Sequence, residues 1–155
     1  MRKPVKILLA VLAAAVLLPA ALLLGLLLPS LIGDAGGYAW TVNANWELDL
    51  PMEEACLYKA DGGPSFHGDG LRYHVLEYAD AGGLEAALET QTEALASLPA
   101  GAEAILDGLF VPADWRPDPA ACRGFTAPHP TDERNELYLL LSDDGTRLYV
   151  LESFL

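Results

Sequence analysis

Residues 7–33 hold 27 consecutive positions without a charge, most of them Leu, Ala, Val or Ile. A helix of that length rises about 1.5 Å per residue and reaches roughly 40 Å, more than the roughly 30 Å hydrocarbon core of a bilayer. A secretory signal peptide has an apolar region of only about 7–15 residues. The length therefore favours a retained signal anchor over a cleaved leader, although Gly33, Asp34 and Ala35 would serve as a cleavage-like triplet. Arg2, Lys3 and Lys6 precede the run, and Asp34 is the first charge after it. Basic flanks stay in the cytoplasm. The expected organisation is a basic flank and single-pass transmembrane anchor over residues 1–33, a linker over 34–37, and an extracytoplasmic domain over 38–155.

Charge then limits what the outer part can bind. All 22 acidic residues lie beyond residue 33, with six of the nine basic ones, so that part carries a net charge of −16. Such a surface repels nucleic acid and anionic headgroups and favours a cationic protein or peptide partner. The simpler reading of the same acidity is solubility. Cys56 and Cys122 both fall in the outer part, where the compartment can be oxidising. One bridge between them would close a long loop worth roughly 4 kcal/mol in the chain-entropy picture. The alternative is two unpaired thiols.

Residues 38–50, "YAWTVNANWELDL", alternate apolar and polar with period two and read as a strand that Pro51 ends. Residues 55–60 and 71–78 read as a second and a third strand. Asp80 then caps a helix, with Leu84, Leu88, Gln91, Leu95 and Leu98 on one stripe up to Pro99. A short helix is weakly patterned around residues 103–109. Residues 110–136 form a long proline-rich connection, a length that compact domains keep for function or disorder. Within it, Trp115 is the candidate aromatic contact for a partner, its plainer role being to staple the loop to the core. Asp144 and Gly145 turn a terminal hairpin. The fold class is α+β: an antiparallel sheet of about five strands with one main packed helix.

The stretch "SFHGDGLRYHVLEY" carries the clustered polar side chains. His67 and Asp69 are the candidate metal ligands or catalytic groups there. A metal needs three or four converging ligands, and His74, seven residues from His67, falls on the opposite face of a regular strand. His129, the remaining histidine, is distant in sequence. Gly68 and Gly70 flank Asp69 and give the backbone freedom for positive φ. Gly68, Asp69 and Gly70 therefore read as a structural turn, with no catalytic residue and no cofactor called for. The remaining alternative is an envelope enzyme or metal-binding protein that uses the His67/Asp69 turn.

The uncharged N-terminal run, "FHGDG", the tyrosine-rich strand, the helix ending in "LP" and the terminal "LYVLE" together resemble a group of small membrane-anchored proteins of Gram-positive bacteria. Members of that group carry a fuller "GGFHGDG"; here Pro64 and Ser65 interrupt the glycines. The resemblance implies the location and brings no activity with it. The expected role is a membrane-tethered, non-catalytic outer domain that binds a partner or modulates an envelope process. For the turn, His67→Ala is expected to leave the melting temperature near that of the parent, with or without added zinc or calcium. A metal-induced rise that His67→Ala removes would instead establish a binding site.

Overall fold

The residues at 137–141 are buried without a break, the pattern of a strand covered on both faces. The structure, a computed structural model, describes residues 37–63 and 70–155. Its elements are helix α1 (Gly37–Trp46), strands β1 (Ala55–Asp61) and β2 (Gly70–Glu77), helix α2 (Ala81–Gln91), strand β3 (Glu93–Leu95), helix α3 (Ala100–Gly108), and strands β4 (Cys122–Thr126), β5 (Glu136–Ser142) and β6 (Arg147–Phe154). All six strands join one sheet in the order β1-β2-β6-β5-β4-β3, and every neighbouring pair is antiparallel. The expected α+β class holds, with one strand more and helices on both faces of the sheet.

Strand alternation divides the core. Val42 and Trp46 of α1 and Leu84 and Leu88 of α2 pack with Leu76, Leu139, Leu148 and Val150 on one face. Ala102, Ile105 and Leu106 of α3 pack with Tyr73, Val75, Leu140 and Leu151 on the other. Each fully buried aliphatic side chain contributes about 1.5–3 kcal/mol by leaving water, so the central strands β2, β6 and β5 carry most of the hydrophobic stabilisation.

Two expected devices are in place. Asp80 caps α2 by accepting from Gly83 N at 3.0 Å. The β5–β6 hairpin closes with Gly145 N donating to Ser142 O at 2.8 Å, and Asp144 Oδ1 accepts from Thr146 N at 3.0 Å.

Three expectations are corrected. Residues 38–50 do not form a strand: the first ten residues from Gly37 are helical. Ala39, Val42 and Trp46 are its buried side, a spacing of three and four, whereas Trp40 is 57% exposed. The two periodicities overlap in this stretch, and groups distant in sequence decide between them. The Glu53 carboxylate accepts from Tyr38 N and from Ala39 N, supplying the missing partners of the first turn. At the other end Asn43 clamps Leu50 through both its N–H and its C=O, each at 2.8 Å, and Glu47 takes φ 53° to end the helix.

The second correction concerns the helix after Asp80, which stops at Gln91 rather than running to Pro99. Thr92 adopts an extended backbone and its hydroxyl donates to Leu88 O at 2.5 Å, while Glu93–Leu95 leave to pair with β4. Pairing along an open sheet edge outweighs continuation of a stripe. The third is the connection 110–136, which contains β4 and two short 3₁₀ turns, Ala113–Trp115 and Pro119–Ala121. The weakly patterned helix of residues 103–109 is present as α3.

Gly70 opens β2 with φ +149°, a backbone that side-chain-bearing residues rarely adopt. Gly68, Asp69 and His67 lie outside the described residues. Gly70→Val is expected to lower stability by about 1 kcal/mol or more, measured by reversible thermal or urea unfolding.

Candidate functional site

One polar cluster interrupts the apolar face beneath α1. Residues directly opposite in an antiparallel pair face the same side. The register aligns Asp61 with Arg72 and Arg72 with Glu152, and one row further aligns Lys59 with His74 and His74 with Val150. Arg72, His74 and Glu152 therefore share the face that α1 covers.

Glu152 is fully buried. A carboxylate taken out of water costs several kcal/mol unless it finds donors. Both its oxygens have one from α1: Trp46 Nε1 donates to Oε1 at 2.6 Å, and the Tyr38 hydroxyl donates to Oε2. The Tyr38 ring also stacks on His74, with centroids 3.2 Å apart and planes 15° from parallel. Arg72 lies over the Phe154 ring at 4.7 Å, and Trp46 meets His129 edge-on at 4.9 Å.

The electrostatics follow from this enclosure. Burial, then the neighbouring Glu152, push the Tyr38 phenol far above its ordinary range, so it acts as a donor. Burial lowers His74 from 6.5 to about 4; Asp61 opposes the shift, and Lys59 and Arg72 add to it. His74 is 7% exposed, and its Nδ1 has no hydrogen-bond partner. With both Glu152 oxygens occupied and His74 covered by a ring, the cluster holds a helix onto a sheet. It does not present a base to substrate.

Of the candidate residues named from sequence, His67 and Asp69 lie outside the described residues. His74 and His129 both pack against aromatic side chains of α1, one on Tyr38 and the other on Trp46. His129 Nδ1 accepts from Asp132 N at 3.1 Å, which shapes its own loop. Among the described residues no group of three His, Cys, Asp or Glu side chains gathers as a metal site. Trp115 stacks on Tyr58 at 5.2 Å, and its carbonyl accepts from the Tyr73 hydroxyl at 2.5 Å, so it staples its turn to the sheet.

Cys56 and Cys122 are free thiols. Cys56 lies on β1 and Cys122 on β4, with β2, β6 and β5 between them. Four strand spacings of about 4.8 Å separate them by roughly 19 Å, and a disulfide needs Cα atoms within about 7 Å. The Cys56–Cys122 bridge expected from sequence does not fit this fold. Burial, then Asp143, Asp118 and Asp144, raise the Cys122 thiol to about 11.

Cys122 instead lines a groove of about 400 Å³ at the β3–β4 edge, with Leu95, Leu98 and Leu140 among its apolar walls. The groove is not legible in the sequence, where Leu95 and Leu98 fall on one helical stripe, because β3 leaves the helix to pair with β4. The sequence reading also missed Glu152, for which a signal exists: one carboxylate inside "LYVLESF", in phase with the inward Leu148 and Val150.

The chain matches no protein-family model, and neither a curated protein nor a solved structure is significantly similar to it.

The buried neutral imidazole makes stability depend on pH with a definite sign. Unfolded His74 takes up a proton near 6.5, while the folded form resists until about 4. Its contribution is complete above 6.5 and is lost as pH falls toward 4, by up to about 3 kcal/mol. His74→Phe keeps a ring under Tyr38 and removes the titration. Urea unfolding across this window is expected to show a shallower acid loss for His74→Phe than for the parent protein.

Proposed function

We propose that the chain is a single-pass, membrane-tethered protein whose extracytoplasmic domain binds a partner and performs no chemistry of its own. The observation that carries this reading is where the compact unit begins. It spans Gly37–Leu155 and so starts within four residues of the last position of the uncharged run. The first turn of α1 is clasped by Glu53, so the folded part starts directly after the short linker. Among the described residues no helix is long and apolar enough to cross a membrane. The run of residues 7–33 lies outside them and supports the tether through its length and its basic flank.

Binding rather than catalysis is supported by how the polar side chains are used. Buried Glu152 and His74 are committed to holding α1, and most of the described acidic residues are exposed. Three of the six outer basic residues, Arg116, Arg123 and Arg134, are already paired with carboxylates. The surface left over is acidic and suits a cationic protein or peptide. The resemblance to the "FHGDG" proteins agrees with this location.

Protease added to intact cells is expected to degrade a C-terminal epitope, and mass spectrometry of membrane-extracted protein to recover peptides from residues 1–36. A soluble form that begins near Gly36 as the sole product would overturn the tether.

A further inference from the structure

We propose that the groove at the β3–β4 edge receives a short extended peptide segment with basic side chains flanking an aliphatic one. The proposal rests on the partner-binding reading and names the partner's chemistry and the place where it docks.

The groove exists because the edge strand is too short. β3 pairs through Glu93↔Thr126, Ala94↔Phe125 and Leu95↔Gly124, then ends. β4 extends two residues further, and Cys122 and Arg123 pair only with Ser142 and Leu141 of β5. Asp143 N donates to Ala121 O at 3.1 Å, which turns the Ala121 peptide toward the β5–β6 hairpin. Alternation along the strand then turns the N–H and C=O of Cys122 outward, past the end of β3. That is the position at which an incoming strand pairs with an open edge.

The walls beside this backbone are apolar. Leu95, Leu98 and Leu140 line the space of about 400 Å³, enough for an aliphatic side chain and its neighbours. Gly124 lets Leu95 lie close, since a Cβ there would come within 3.2 Å of Leu95 Cβ.

The rim sets the charge. Glu89 lines the groove on the α2 side. Asp118, Asp143 and Asp144 lie close enough to Cys122 to act on its thiol electrostatically. Arg123, the basic residue in the lining, is already held by Glu85 at 2.6 Å and Glu89 at 3.5 Å. An acidic segment would bring its charges against those carboxylates. A segment with Lys or Arg on either side of the seated side chain meets them with opposite charge.

The probe is a blocked six-residue peptide of alternating Lys and Val, titrated into the full chain in neutral detergent micelles and followed by backbone amide NMR. Saturable binding is expected, weakened by salt, with shifts centred on Leu95, Leu98, Cys122 and Gly124. The Glu/Val counterpart should not bind at the same concentrations. Asp118→Asn combined with Asp143→Lys alters two exposed side chains and keeps an acceptor for Ala120 N; it should weaken the Lys/Val peptide at least about tenfold and leave the melting temperature unchanged. Equal binding of the two peptides, shifts centred elsewhere, affinity unchanged by the double substitution, or no saturable binding would each overturn the proposal. The titration uses purified protein, so its failure leaves the protease test of membrane tethering standing, and the reverse also holds.

Discussion

The Glu152 carboxylate fixes how the first helix sits on the sheet. A charge buried this completely is tolerated only with donors on it, and α1 supplies both from Trp46 and Tyr38. Apolar packing alone would let a helix slide, since methyl groups accept many neighbours at similar energy. Two hydrogen bonds to one rigid carboxylate admit one placement. Removing either partner of such a buried charge typically costs several kcal/mol, more than the loss of one aliphatic contact. Tyr38 then falls on His74, and Trp46 falls on His129 and Phe154. The entry point of the chain into the domain follows, because Glu53 holds the first turn of the same helix.

A second consequence runs through the sheet edges. The central strands are covered on both sides, so unpaired strand backbone is left only at the ends of the sheet. β1 is a blunted edge: its register shifts between Cys56 and Tyr58, and it carries Lys59. At the opposite edge β3 has three residues, and its brevity exposes the start of β4. Carboxylates of Glu89, Asp118, Asp143 and Asp144 lie near an apolar hollow there. The two edges thus have different physical characters although they belong to one antiparallel sheet.

Elements whose signals are local are legible in the chain alone. Alternation and β-branched or aromatic content located β1, β2 and the β5–β6 hairpin, and the chemistry of Asp144-Gly145 located its turn. Asp80 marked the start of α2 because a side-chain cap is read within three residues. The uncharged run, the basic flank and the net charge of −16 beyond residue 33 are likewise properties of composition and order. Tertiary structure decided the rest. Residues 38–50 satisfy a strand period and a helix period together, and Glu53, Asn43 and the distant Glu152 select the helix. The end of α2 depends on β4 being available to pair. The separation of Cys56 and Cys122 depends on strand order, which places β2, β6 and β5 between them and which spacing along a chain does not contain. The groove depends on the same order, since it forms where one short strand stops beside a longer one.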